Sequence, residues 1–151
     1  MSVRMTEDEA WDLLERSPTG ILTTLRRNGR PVALPVWYAV VDRRVYVVTR
    51  GRKLERLRND PRCSFLVEAG ERWVELRAVH LECDAVLLDG EDERLPVIRA
   101  AIATKYAGLR TARADMPDAT RDHYRQAAGA TVELVVTGKV LTWDNRKLGV
   151  H

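Results

Sequence analysis

The N-terminal pattern of hydrophobic and polar residues predicts a short amphipathic helix. Thr6 and Glu9 have the spacing of a capping box, in which each side chain bonds the backbone N–H of the other. The segment 17–20 contains Pro18 and Gly20 and ends this helix. The apolar residues that share one face of the helix are Ala10, Leu13 and Leu14.

From Gly20 the pattern changes to that of strands, because residues 21–25 (ILTTL) are rich in β-branched residues. Asn28-Gly29 is a strong hairpin signal between a first strand and a second strand that we expect from Pro31 to Val41. A third strand follows from Val45 to Thr49. Alternation places on one face of the second strand the residues Val32, Leu34, Val36, Tyr38 and Val40.

The remainder of the chain predicts three more strands with helices between them. The expected helices are a brief one after Arg50-Gly51-Arg52-Lys53 that ends at Asp60-Pro61, a long one from Glu93 to Gly108, and a short one from Ala119 to Ala128. The expected strands are Cys63 to Glu68, Trp73 to Leu88 and Thr131 to Trp143. Short hairpins and inserted helices favour a mainly β (α+β) fold, a six-stranded antiparallel barrel with peripheral helices in one domain, residues 1–151.

The composition narrows the classes of partner. A hydrophobic fraction of 45% with 31% charged residues is that of an ordinary globular protein. The 25 basic residues are nearly matched by 22 acidic ones, which argues against a nucleic-acid partner. Most of the basic residues are arginine, which favours an anionic ligand. No apolar stretch approaches the roughly 20 residues that cross a bilayer, and residues 1–15 lack a signal-peptide core. We expect a cytoplasmic protein without a membrane partner.

The cysteines and histidines do not form a known catalytic or metal motif. Cys63 and Cys83 are far apart in sequence and outside any CxxC pattern, so we expect buried thiols and neither a zinc site nor a disulfide. His80, His123 and His151 share no spacing with a nucleophile, which gives a hydrolytic triad little support. If the protein is an enzyme, a bound cofactor is expected to carry the chemistry.

A cluster of cations at the start of the second helix is the most informative segment. It follows Thr49 at a strand end and includes Gly51. Helix N-termini present free N–H groups, so backbone and side chains together predict a phosphate cradle. The alternative is a solvated basic loop. The cations are Arg50, Arg52, Lys53 and Arg56.

Two aromatic residues precede this segment on the second strand. Trp37 and Tyr38 point to opposite faces, where one ring would help to wall a flat ring system. The alternative is that both are core residues. Trp73 and Trp143 allow the same two interpretations.

Four segments, taken in order, resemble the FMN-binding split-barrel family related to pyridoxamine 5'-phosphate oxidase, and especially its actinobacterial branch of F420-dependent oxidoreductases. The similarity extends from about Thr6 to Trp143. It implies a split barrel that forms a homodimer, with a cofactor, F420 or FMN, in a groove between the subunits. The segments are 24–31 (TLRRNGRP), 35–38 (PVWY), 53–62 (KLERLRNDPR) and 73–77 (WVELR).

The resemblance also implies roles for individual residues. Arg52 and Lys53 would bind phosphate, and Val36, Trp37 and Thr49 would border the tricyclic ring. One departure is that the family's usual Lys-x-Arg-Asn-Leu reads here Lys-Leu-Glu-Arg-Leu, with Glu55 in the arginine position. Its replacement by Arg56 changes the direction of the side chain by about 100° of helix rotation. The other candidate cofactor-binding residues are Pro35, Arg50, Arg56 and Trp73.

Three functions follow from this resemblance. The first is a reductase that uses F420 to transfer hydride to or from a small organic substrate, since the arginine surplus suits the anionic tail of F420. The second is an FMN-dependent oxidase or reductase. The third is a protein that binds a cofactor or haem without turnover. Synthesis of pyridoxal phosphate is not expected, because the family's basic C-terminal substrate motif is not found at residues 146–151.

Overall fold

The computed structural model describes residues 2–126 and 129–149. The helices in this part of the chain are α1 (Glu7–Arg16), α2 (Gly51–Asn59), α3 (Leu95–Lys105) and α4 (Asp118–Gln126), with 3-10 helices at Trp73–Glu75, Arg113–Asp115 and Asn145–Leu148. The strands are β1 (Gly20–Leu25), β2 (Pro31–Val36), β3 (Tyr38–Val41), β4 (Arg44–Thr49), β5 (Arg62–Ala69), β6 (Arg77–Leu87) and β7 (Ala130–Asp144). The predicted end of α4, at Ala127 and Ala128, lies outside the described residues, as does His151.

All seven strands belong to one antiparallel sheet in the order β2-β1-β5-β6-β7-β4-β3. The longest pairing, β6 with β7, runs from Arg77 opposite Asp144 to Leu87 opposite Val132 and shifts register between Leu81 and Cys83. Such a shift increases the local bend of the strands. The sheet curls into a half-barrel with helices around it, which confirms the mainly β, α-decorated fold class.

Helix α1 covers the core at one side of the half-barrel. Its capping box is present, because the Glu9 N–H donates to Thr6 Oγ1 (3.2 Å) and the Thr6 N–H donates to the Glu9 carboxylate (2.7 Å). Leu13 and Leu14 are buried on its inner face. The Lys147 ammonium also bonds the Glu9 carboxylate at 2.7 Å, which ties the C-terminal 3-10 helix to the start of α1.

The prediction of six strands is wrong, because the strand expected from Pro31 to Val41 is broken at Trp37. Its first half, β2, pairs with β1 at one edge of the sheet, and its second half, β3, pairs with β4 at the other edge. At this break, within the described residues, the Tyr38 N–H does not bond to a neighbouring strand. It donates instead to the Tyr106 hydroxyl at 2.9 Å. Because a backbone donor is satisfied in this way, the chain can leave one edge and join the other. Leu34, one of the residues predicted to share a face of this strand, is exposed on the edge strand β2.

The strand expected from Trp73 to Leu88 begins four residues later, at Arg77. Residues Trp73–Glu75 instead form a 3-10 helix. The Arg72 guanidinium, directly before this helix, donates to the Glu75 carboxylate at 2.9 Å. This helical turn takes the place of the first residues of the expected strand. The other predicted strands and helices are present with boundaries that differ by a few residues.

Candidate functional site

Helix α2 begins directly at the end of β4. Gly51, its first residue, has a φ of 60°, a conformation that glycine adopts readily and that turns the extended chain into the helix. Leu54 and Leu57 are buried and hold the helix against the sheet. Lys53 and Arg56 are three positions apart and therefore lie on one side of the helix.

Lys53 and Arg56, here called the α2 cation pair, both reach the strands beneath the helix. The Lys53 ammonium donates to the carbonyl oxygen of Pro35 at 3.4 Å, and Arg56 Nε donates to Thr24 Oγ1 at 2.7 Å. Burial lowers the pKa of Lys53, and the charge of Arg56 lowers it further. No carboxylate forms an ion pair with either cation among residues 2–126 and 129–149. The pair thus has uncompensated positive charge close to the backbone of β2.

Thr49, at the end of β4, contributes an unsatisfied hydroxyl. The residue is only 3% exposed, and its Oγ1 has no hydrogen-bond partner in the described part of the chain. By strand alternation it lies on the same side of β4 as Val47, which is in the core. A buried hydroxyl without a partner costs free energy. A ligand with a polar edge would remove that cost.

The segment between β2 and β3 brings an aromatic surface to the same end of β2. Trp37 is 39% exposed, and its ring stacks on Tyr106 with 4.1 Å between centroids. The Arg110 guanidinium lies 5.7 Å from the centroid of the Trp37 ring. Val36, directly before Trp37, is buried. One side of the indole is therefore already covered by protein.

Some of the remaining predicted site residues lie away from the α2 cation pair. Arg52 is exposed on α2, and Arg50 is half-buried at the position before the helix. Trp73 is 62% exposed in its 3-10 helix, and its carbonyl oxygen accepts from the Asn145 side chain at 2.8 Å. Pro35 contacts α2 through the hydrogen bond that its carbonyl oxygen accepts from Lys53. Trp73 has no hydrogen bond or ring contact with α2 among the described residues. The cofactor role of Trp73 stays a prediction.

Sequence reasoning did not single out Thr24, Lys105 or Tyr106. The Lys105 ammonium lies 3.5 Å from the centroid of the Tyr38 ring and has no hydrogen-bond partner in the described residues. Burial lowers the pKa of Lys105 to about 8. In the sequence it is simply a lysine in the last turn of a helix, a common position for a cation. The sequence contains no local signal that it is buried.

The structure brings together the two cysteines that the sequence left separate. Cys63 on β5 lies directly opposite Cys83 on β6, and both are free thiols. Burial raises the pKa of each to about 12, and neighbouring negative charge adds to the effect. Neither is therefore a reactive thiolate near neutral pH. No group of three or more metal-ligating side chains occurs among the residues that the structure describes.

His80 occupies the strand position expected for it, on β6. It lies opposite Leu66 of β5 and Leu141 of β7. Its Nδ1 is buried and lacks a hydrogen-bond partner within the described ranges, so the imidazole is not fully satisfied as a core histidine would be.

The family model described as pyridoxamine 5'-phosphate oxidase matches residues 6–137. The chain belongs to this family. The resemblance of the four sequence segments to it is therefore confirmed at the level of the family. No curated protein sequence matches the chain.

Solved structures of this family's fold include one that is also similar in sequence. A conserved hypothetical protein from Mycobacterium tuberculosis is 32% identical, with a TM-score of 0.81 over 99% of this chain and 91% of that one. The haem storage protein HutZ from Vibrio cholerae is 14% identical (TM-score 0.70, 95% and 96% covered). A FAD-binding protein from Mesorhizobium loti is 17% identical (TM-score 0.67, 91% and 92% covered). The last two share the fold alone.

None of the helices in the described residues has the length and apolar character needed to span a bilayer.

Proposed function

We propose that this member of the family binds a flavin-type cofactor, F420 in the first instance and FMN in the second, and transfers hydride between it and a small organic substrate. The observation that carries the proposal is the α2 cation pair beside β2, which has no carboxylate partner among the described residues. Thr49, with a buried hydroxyl that lacks a partner there, is a second feature that a polar ligand would satisfy. The flavin bound by the relative from Mesorhizobium loti is consistent with such a ligand.

Each site residue has a distinct task in this proposal. Lys53 and Arg56 bind phosphate, with Arg52 adding positive charge at the exposed side of α2. Thr49 Oγ1 bonds a polar edge of the ring system, and Val36 and Trp37 form an apolar wall. The bound cofactor supplies the hydride chemistry. The protein orients the substrate against the ring and excludes water from the reacting atoms.

Glu55, the departure from the family pattern, does not oppose phosphate binding directly. It is exposed on α2 and forms no ion pair with Lys53 or Arg56. Arg56 uses Nε for Thr24 and, within the described part of the chain, leaves its other N–H groups without a hydrogen-bond partner. In this proposal, those N–H groups bind the phosphate in place of the arginine that the family pattern has at position 55. The preference for F420 over FMN rests on the arginine surplus, because the F420 tail is anionic.

The proposed assembly is a homodimer with the cofactor groove between subunits. Strand β2 is an edge strand with Leu34 exposed, and Trp143 is exposed on β7. Apolar side chains left exposed on an edge strand or on the face of a sheet are commonly covered by a second chain. Sedimentation equilibrium should give twice the mass of 17.2 kDa. A monomeric mass at micromolar concentration would contradict the proposed dimer, but it would not contradict phosphate binding by the α2 cation pair.

The test of cofactor binding is a pair of fluorescence titrations of purified protein with F420 and with FMN. Lys53→Met should weaken binding of the preferred cofactor at least roughly tenfold, the effect of losing a charge-assisted contact to phosphate. Arg58→Met is the matched control, because it removes one charge from the exposed side of the same helix. Thr49→Val should weaken binding without a change in charge.

The outcomes of these titrations are distinct. Tight binding of F420 that is lost in Lys53→Met supports the first assignment, and preference for FMN supports the second. Binding of neither cofactor, or equal losses in Lys53→Met and Arg58→Met, would overturn the proposed site.

Haem binding without turnover is the second candidate, and His80 is the observation that favours it. Its imidazole lies on β6 beside the exposed Leu141, and the haem storage protein from Vibrio cholerae has the same fold. Addition of haem should then produce a Soret band that is shifted from free haem and changed in His80→Ala. An unchanged spectrum with the wild-type protein would eliminate this candidate.

A further inference from the structure

A cavity of about 490 Å³ opens between α1 and strands β6 and β7. Its volume is in the range of small-molecule pockets, which is roughly 300–1,000 Å³. None of the residues predicted to bind the cofactor lines it. The cavity is therefore separate from the α2 cation pair, and its role does not depend on the proposed function.

The floor and walls of this cavity are apolar. Leu14, Val79 and Leu81 form the floor and belong to the hydrophobic core. Val136 and Val140 of β7 form a wall and remain 38% and 46% exposed. Apolar surface left open to water in a concave site favours burial by the apolar part of a ligand.

The rim of the cavity carries net positive charge. The Arg4 guanidinium and the Lys139 ammonium have no ion-pair partner in the ranges 2–126 and 129–149. The carboxylate among the lining residues, Glu7, is already used, because it lies 3.3 Å from the Arg43 guanidinium. A ligand that complements this rim carries a negative charge.

The wall formed by the segment before α1 is held in place by hydrogen bonds to β7. The Met5 N–H donates to Thr142 Oγ1 of β7 at 3.0 Å, and the Asp144 N–H donates to the carbonyl oxygen of Val3 at 2.7 Å. Two hydrogen bonds thus fix this segment to β7. A preformed cavity avoids much of the ordering cost of binding.

We propose that this cavity binds an amphipathic organic carboxylate, with its apolar body on the floor formed by Leu14, Val79 and Leu81 and its carboxylate at Arg4 and Lys139. Charge complementarity selects the anionic head, and the apolar floor selects the aliphatic or aromatic body. No covalent step is involved. The site is a second ligand site, and none of its lining residues belongs to α2.

The test uses octanoate as the probe in isothermal titration calorimetry with the protein of residues 1–151, and octan-1-ol as the uncharged comparison. Octanoate should bind at least roughly tenfold more tightly than octan-1-ol, since one charge-assisted contact has about that effect. Lys139→Met should remove this preference. Arg99→Met, which changes the charge equally on an exposed position of α3, should leave it unchanged.

A second variant keeps the test decisive if Lys139→Met alters the fold. Val140→Trp places a large side chain in the opening and should abolish octanoate binding while the circular dichroism spectrum stays unchanged. Failure of the wild-type protein to bind octanoate would overturn the proposal. The same conclusion follows if Lys139→Met and Arg99→Met behave alike. If Val140→Trp dissociates a dimer and leaves octanoate binding intact, the cavity is a contact with a second copy and the proposal is wrong.

Discussion

The ring of Trp37 lies parallel to the ring of Tyr106, with 4.1 Å between the centroids and 3° between the planes. The Tyr106 hydroxyl also accepts from the Tyr38 N–H at 2.9 Å and donates to the carbonyl oxygen of Pro18 at 2.8 Å. A residue at the end of α3 therefore fixes the point at which the chain leaves one edge of the sheet for the other. The candidate cofactor site lies beside this point.

Tyr106→Phe should lower the free energy of unfolding by about 1–3 kcal/mol, because it leaves the buried Tyr38 N–H without an acceptor. The ring stack with Trp37 is kept in this variant. Urea unfolding followed by circular dichroism measures the change. Tyr46→Phe is the control, since within residues 2–126 and 129–149 the Tyr46 hydroxyl has only a long 3.5 Å contact with Arg94. Equal effects of the two substitutions would contradict the role of the Tyr106 hydroxyl.

Gly20→Ala should destabilise the protein by about 1–3 kcal/mol, the usual cost of overpacking a core. A methyl group at Gly20 would overlap the ring of Phe65, which is completely buried. Gly90→Ala is the matched control, because a methyl group there meets nothing within 4 Å. Thermal unfolding of both variants tests the expectation. A melting temperature of Gly20→Ala equal to that of Gly90→Ala would show that the ring can move aside.

Lys105→Met should stabilise the protein at pH 7 and have little effect at pH 10.5. Burial lowers the pKa of Lys105 from 10.5 to about 8, so the folded state binds this proton less tightly than the unfolded state. The resulting penalty is full below pH 8 and is relieved as the pH rises to 10.5. At pH 7 it amounts to about 1 kcal/mol once solvent screening and the attraction to the Tyr38 ring are included.

Urea unfolding of Lys105→Met and wild type at several pH values between 7 and 10.5 measures that difference. Other groups that titrate in this range, such as Cys63 and Cys83, are present in both proteins and largely cancel. A stability difference that does not change with pH would attribute the effect to packing and not to charge.

Cys63 and Cys83 should resist alkylation by iodoacetamide in the folded protein at pH 8. Their pKa values are raised to about 12, so the thiolate fraction is very small. The rate should be lower than in urea by roughly a hundredfold or more, since only the thiolate reacts. Mass spectrometry of timed samples gives both rates. Rapid labelling of either cysteine in the folded state would contradict the burial of the pair.

Local signals in the sequence correctly predicted several elements. The capping box of Thr6 and Glu9 marks the start of α1, and the Asn28-Gly29 turn lies between β1 and β2. The basic segment after Thr49 begins a helix as expected, with Leu54 and Leu57 buried. These predictions succeed because caps, turns and amphipathic spacing depend on residues within a few positions of one another. The family also followed from the order of such segments.

Local patterns thus specify the kinds of element, their approximate limits and the family, whereas packing in three dimensions specifies which distant residues meet. Alternation from Pro31 to Val41 is the same for one long strand and for two strands broken at Trp37. The two cases differ in strand pairing and in the hydrogen bond from the Tyr38 N–H to the Tyr106 hydroxyl, almost 70 positions away by sequence number. The contact of Arg56 with Thr24 and the pairing of Cys63 with Cys83 likewise arise from strand register and helix docking. Register depends on packing across the whole sheet, which no local pattern specifies.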